Sequence, residues 1–420
     1  MFEVVAGPEN PKRLVFEYWN GRPNTTVHEV PHGGRTYVPA PPGCGLVQAV
    51  RFPPPSQPFE SVAELATSIG QIFRRYAGLL AEAASILTGF SLASSVVDGL
   101  PTAPTLHLVG AEESCALVLR LLGCTCARSV LLSDVDSAAL ATMPARFRAT
   151  MLVAQRDLSR AVVRMLDAAQ NSYFRIVRGK RTLDLYGAKV FSTEGGKTGG
   201  RGLELHIPPS QKPLPVLTEA ETEKIAAEIQ PKLLRYRLQN HARVRRAKMD
   251  CEKFLPLSCD EVHAWLAPIS DCPELSDVVT KYLLEMGEQV QGTRYSDYKC
   301  VVAEAALSFC HEPEQAWEQF LVGELSERAN ALLQGRNEDA VLSDRKVGSL
   351  LHSFGIRAER VTAGYRVKLT DTMRQRIHAI AESYQVLSLH EGVARCKHCL
   401  GNKTPPASEA ASAKNERMHV

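Results

Sequence analysis

Several things are scarce or missing in this 420-residue chain, and each absence closes off a class of function. The most membrane-like stretch, Ala83 to Val97, has only 15 uncharged residues and is broken by Ser, Thr and Gly. A bilayer-spanning helix needs about 20 mainly apolar residues, so a buried helix and no membrane partner are expected. The opening Met1-Phe2-Glu3-Val4-Val5 lacks the basic flank and apolar run of a secretory signal. Charge of one sign is not in excess either: 49 Lys and Arg face 46 Asp and Glu, a net of +3. Any nucleic-acid argument must therefore rest on local clusters. The 11 cysteines are odd in number and have no framework spacing, which suits reduced, buried thiols in a cytoplasm.

A further absence concerns chemistry. Thr105 to Gly110 reads as a buried strand ending in glycine, and Ala111 to Leu122 as a helix with Leu117, Leu119, Leu121 and Leu122 on its apolar side. Strand, glycine turn and helix are the frame of a phosphate-binding loop, G-x-x-x-x-G-K-[ST]. Its glycines let backbone N–H groups wrap phosphates, its lysine supplies charge and its hydroxyl holds magnesium. In this frame Gly110 is the first glycine, but Cys115, Ala116 and Leu117 occupy the second-glycine, lysine and hydroxyl positions. Glu112 and Glu113 would repel a triphosphate. A second buried strand, Ala149 to Val153, ends in Ala154-Gln155 where an ATPase carries an Asp-Glu pair for magnesium and water. Both nucleotide motifs fail together, so no catalytic residue is assigned and the reading leans away from an enzyme.

What is present divides the chain as follows. Residues 1–58 form a Pro-rich arm with short strands at Leu14–Trp19 and Arg35–Val38, and residues 59–100 a helical layer opened by a Ser61/Glu64 cap. Residues 101–215 form an α/β core, its further strands at Ser129–Leu132, Ala188–Thr193 and Leu203–Ile207. Strands alternating with helices imply a mainly parallel sheet with flanking helices. Asp134 and Asp136 read as a strand end or helix cap rather than a metal pair. Gly195 to Gly200, around Lys197, reads as a flexible loop rather than a phosphate site. Residues 216–312 are helical, and Pro231 to Lys248 contains no acidic residue. Arg235, Arg243, Arg245 and Arg246 there are a secondary basic patch, with a solvated helix face as the alternative.

Residues 313–390 carry the clearest module. Gly323–Leu333 and Leu342–Leu351, capped by Ser343, read as two helices. Arg360–Thr362 and Tyr365–Leu369 then read as a hairpin, followed by a last helix from Thr370 to Tyr384. That order is a winged-helix pattern. The second helix would present Arg345, Lys346, Ser349 and His352 to a DNA groove, and the wing Arg357, Arg360, Arg366 and Lys368. Residues 391–420 hold Cys396-Lys-His-Cys399 and a Pro-, Ala- and Ser-rich tail. One C-x-x-C is half a zinc site. Cys396 and Cys399 are its weak candidates, His390 and His398 are the nearest completing residues, and no zinc is expected.

From about Phe59 to Val386 the order of these parts resembles the primase–helicase-type P-loop ATPases of phage and plasmid replication. Ala103 to Gly110 and the Arg345–Tyr384 module carry that likeness most specifically. The resemblance implies a P-loop-NTPase-like α/β fold followed by a helical region and a winged helix. It places Ser192 or Thr193 at a sensor of the γ-phosphate. The expectation is a catalytically inactive P-loop relative that binds DNA, with replication proteins as further partners and no cofactor. One alternative is an active DNA-dependent NTPase or helicase binding ATP and magnesium through Lys189 or Lys197; another is a protein-interaction scaffold.

Overall fold

The computed structural model describes residues 1–10, 13–20, 25–39, 49–142, 148–154, 158–173, 175–178, 181–193, 202–210, 213–254, 257–295, 297–311, 317–336, 338–384, 386 and 396–400. The chain divides into two compact units, Met1–Gly287 and Glu288–Val420. Among the described residues no helix is long and apolar enough to cross a membrane.

The first unit is built on five parallel strands: β1 (Thr105–Gly110), β2 (Ser129–Leu132), β3 (Thr150–Val153), β4 (Lys189–Thr193) and β5 (Leu203–Ile207). Their order across the sheet is β5-β1-β4-β3-β2. Strands covered on both faces read as continuous apolar runs, as β1 and β3 do, whereas the edge strand β5 alternates buried Leu203, Leu205 and Ile207 with exposed Glu204 and His206. Successive residues point to opposite faces, and the two cores divide accordingly. Leu106, Leu108, Leu152 and Val190 join the larger cluster, with α1 (Val62–Ala77), α2 (Ala81–Ser95) and α3 (Glu112–Thr125). Met151, Val153 and Phe191 join a second cluster with α4 (Arg160–Ala168).

Local chemistry sets the helix ends. The Ser61 hydroxyl accepts from the Glu64 N–H at 3.2 Å, and Gly78 closes α1 at φ 66°, where a side chain would be strained. Asp136 caps the short helix Ser137–Leu140 by accepting from the Ala139 N–H at 2.7 Å, and Asp134 is exposed. The stretch from Ala83 lies in α2, whose residues from Ile86 to Ser95 are all buried.

The N-terminal residues are more structured than an arm. Phe2–Ala6, Leu14–Tyr18 and Thr25–Val27 form an antiparallel sheet, and Val30–His32 pairs with Arg35–Tyr37. Glu3, 4% exposed, ties this sheet to α5 (Glu219–Arg246). The Arg237 guanidinium donates through Nε to Glu3 at 2.7 Å, through Nη2 to Asp98 at 2.9 Å, and to the Ser95 carbonyl at 2.8 Å. Glu3 also pairs with Arg128. Though burial opposes its ionisation, Arg237 and His241 beside it hold the Asp98 carboxyl far below the usual carboxylate range. One thiol expectation changes here: Cys251 and Cys259 are joined as a disulfide across eight residues.

The second unit begins its described core with α6 (Tyr298–His311). Then come β6 (Gln319–Leu321), α7 (Val322–Gly335), α8 (Asp344–Ser353), the hairpin β7 (Glu359–Val361) and β8 (Gly364–Lys368), α9 (Asp371–Ser383) and the short α10 (Lys397–Leu400). β6, which the sequence reading did not find, pairs with β8 to make a three-stranded antiparallel sheet of order β6-β8-β7.

Truncating a buried ion-pair partner strands its counter-charges, at a cost of about 3–5 kcal/mol. Arg237→Ala should destabilise the first unit by about that much in urea unfolding, while Arg245→Ala, on an exposed side chain, should change stability by less than about 0.5 kcal/mol. Equal losses in the two variants would contradict the network's role.

Candidate functional site

Ligands of open α/β sheets bind beyond the carboxyl ends of the strands, where neighbouring connections diverge. In this sheet that place is the end of β1, flanked by β4 and β5. Gly110 sits there, and a Cβ on it would lie 2.4 Å from the Ile207 carbonyl oxygen, so β5 leaves no room for a side chain. β1 ends at Gly110 and α3 starts at Glu112, with Ala111 alone between them and no side-chain cap. A phosphate-wrapping loop needs several residues with free N–H groups at this point. Here Cys115, Ala116 and Leu117 are already inside α3, Cys115 fully buried. Glu112 and Glu113, both exposed, occupy the first turn, where the helix dipole would otherwise attract an anion.

Lys189 does not reach this end. It pairs in register with Thr105, five positions before Gly110, or about 16 Å along the strand. Its ammonium is buried and donates to the Gly187 carbonyl at 2.7 Å and the Ala169 carbonyl at 3.1 Å. Burial pushes its pKa from 10.5 down to about 7. Ser192 is buried on β4 opposite Leu108, and Thr193 opposite Val109. Ala154 is exposed just beyond β3. Gln155, Lys197 and the loop around it lie outside the described residues.

Half of the secondary basic patch is absorbed by the fold. The Arg235 guanidinium stacks over the Trp19 ring at 4.0 Å, and Arg243 pairs with Asp271 at 3.0 Å while donating to the Ala267 carbonyl at 3.2 Å. Arg245 and Arg246 are exposed. A run without acidic residues thus finds its acids elsewhere in the chain, a pairing that no local window contains.

The second unit keeps its predicted basic side chains outward. α8 buries Val347, Leu350 and Leu351 and exposes Arg345, Lys346, Ser349 and His352. Positions 345, 349 and 352 share one helix face by their spacing. Ser343 caps the start of α8, its hydroxyl accepting from the Lys346 N–H at 3.3 Å, and Gly355 ends it at φ 72°. Arg357 and Arg360 are exposed beside it. Arg366 and Lys368 both bind Glu359 at 3.2 Å, so much of their charge is spent inside the hairpin. A cleft of about 860 Å³ lies against α8, lined by Arg345, His352 and Arg357 but also by Glu324, Glu327 and Asp344. Its walls include Val322, Ile356 and Tyr365.

The same unit gathers a second group that the sequence reading named only by half. His311 at the end of α6, His378 on α9, and Cys396 and Cys399 at α10 bring four ligand atoms within 4.8 Å of one another. His398, the nearby histidine considered from sequence, packs its ring 5.5 Å from that of His378 but is not one of the four, and it faces Asp371 at 3.7 Å. His390 lies outside the described residues. No short spacing rule joins His311 and His378 to the cysteines, so only the fold reveals the group.

No protein-family model matches the chain, and no curated protein does. Among solved structures, two of the apo A form of the NrS-1 C-terminal region align over 88% of this chain and 96% of theirs, at 9% and 11% identity and a TM-score of 0.34. Drosophila ORC bound to DNA aligns over 77% of this chain and 94% of its own, at 14% identity and a TM-score of 0.21. Likeness at this level carries no argument about fold or partner.

The β1 end is expected to bind no ATP–magnesium in the wild type or in Ala116→Lys, because the missing element is a loop as well as a cation. A saturable fluorescent-ATP titration of either protein would contradict this. Lys189 gives a pH signature. Between about 7 and 10.5 the unfolded chain holds a proton that the folded chain has released, so folded stability rises with pH there. Against Lys189→Met, wild type should gain about 1 kcal/mol per pH unit from pH 7 to 9 in urea unfolding. Parallel profiles would contradict a neutral buried amine.

Proposed function

We propose that this chain binds DNA through its second unit, used as a winged helix, and that its α/β unit is a P-loop-type sheet without nucleotide chemistry. The observation that carries the proposal is α8. It buries one face and turns Arg345, Lys346, Ser349 and His352 outward, with Arg357 and Arg360 beside the hairpin. A helix anchored this way can enter the major groove while the wing contacts the backbone. Glu324, Glu327 and Asp344 in the adjoining cleft work against indiscriminate phosphate binding, so base contacts from α8 would provide the discrimination. A replication or mobile-element adaptor is the role that fits an idle sheet beside a DNA-reading module.

The strand order β5-β1-β4-β3-β2 and the glycine at the end of β1 support the P-loop-type reading of the sheet. The one-residue β1–α3 connection and the remote Lys189 weigh against the active NTPase or helicase. A protein-docking scaffold is the second reading, favoured by the cleft's apolar wall and by Tyr365, 54% exposed beside it.

Charge reversal separates the two. Arg345→Glu/Lys346→Glu should weaken duplex DNA binding by at least about 1–3 kcal/mol while the thermal unfolding midpoint is retained. Unchanged DNA affinity in a folded double variant would leave the docking surface as the better account.

A further inference from the structure

We propose that the second unit holds a structural zinc ion on His311, His378, Cys396 and Cys399. The group satisfies the requirements of such a site one by one. Its donors are two imidazole nitrogens and two sulfurs, the set that selects tetrahedral zinc. With ordinary zinc–ligand bonds, the edges of a tetrahedron are about 3.3 Å between nitrogens and about 3.6 Å between nitrogen and sulfur. The two Nε2 atoms stand 3.0 Å apart, Cys396 Sγ is 3.2 Å from His378 Nε2, and Cys399 Sγ is 3.3 Å from His311 Nε2. These three edges need shifts of only a few tenths of an ångström, and all four ligand atoms lie within 4.8 Å of one another.

The supporting contacts point the same way. His378 Nδ1 faces the Arg374 carbonyl at 2.7 Å. Donation of Nδ1–H to that oxygen leaves the Nε2 lone pair aimed into the group, the arrangement that orients metal-bound imidazoles. Cys399 N–H donates to the Cys396 carbonyl at 3.1 Å, the tight turn by which a C-x-x-C brings two sulfurs to one point. His311, His378 and Cys399 are 6% exposed each, and Cys396 is half-buried. Four protein ligands leave no open position, so the ion would be structural rather than catalytic.

Two neighbours serve as controls. Cys310 follows the α6 helix line, with its thiol toward the Ala306 carbonyl at 3.9 Å, and is not one of the four. His398 faces Asp371 instead. The consequence for the unit is a clasp: α6, α9 and α10 meet at a single ion, fixing the residues after α9 to the bundle that presents α8. This goes beyond the DNA-binding reading and does not depend on it.

The test uses the full chain, with any affinity tag removed and no chelator. Metal analysis should find one zinc per chain. After stripping, titration with cobalt(II) should give the intense visible bands of a tetrahedral site together with thiolate-to-cobalt charge transfer. Cys396→Ser/Cys399→Ser should lose both signals. Cys310→Ser and His398→Asn should keep them, and His378→Cys should keep the metal while strengthening the charge-transfer band. Wild-type protein without stoichiometric zinc and without the cobalt bands would overturn the proposal. So would a Cys396→Ser/Cys399→Ser variant with an unchanged cobalt spectrum. Because the wild-type cobalt spectrum is decisive by itself, a variant that fails to fold leaves the test intact.

Discussion

Ala111 alone separates β1 from α3 at the carboxyl end of the sheet, between β4 and β5. A loop that wraps phosphates is made of backbone N–H groups released from helix and strand, and there is no length of chain here to release them. Two glutamates then take the helix start, and the glycine before it is held closely under a β5 carbonyl. The absence of the lysine thus goes together with a connection too short for a phosphate loop, and helices pack on both faces of the sheet.

That frame is extended by charge as well as by apolar packing. Arg237 draws Glu3 of the N-terminal sheet and Asp98 after α2 to one buried guanidinium. Glu3 and Arg237 alone would each be costly to bury, and together they satisfy one another. The arrangement explains why a stretch that looks like a DNA-contacting run is partly interior. No acid stands near Arg237 in the sequence, and its partners come from 139 and 234 residues away.

Legibility followed the range of the interactions. The inner strands were readable as apolar runs and the edge strand β5 by its alternation of Leu203, Leu205 and Ile207 with polar residues, and the helices of the second unit because a serine cap and a terminal glycine stand at Ser343 and Gly355. Phe2–Ala6 escaped notice because one of its inward positions is Glu3, whose partners lie far along the chain. β6 escaped because three residues are too few to show a period. The outward face of α8 was readable from helical spacing alone. The His–Cys group was not, since His311 and His378 are 67 residues apart and only the packing of α6 against α9 brings their rings together.

The account turns on whether the second unit is an electrostatic and groove contact for DNA that owes nothing to nucleotide. The most direct measurement is a titration of the full chain into a fluorescent DNA duplex across a salt series, with and without ATP–magnesium. With Arg357 and Arg360 as phosphate contacts beside the groove-reading α8, the logarithm of the binding constant should fall against the logarithm of salt with a slope of about −2 or steeper. The line should be the same with nucleotide present. Binding that is absent even at low salt, or a constant that shifts when ATP–magnesium is added, would contradict it.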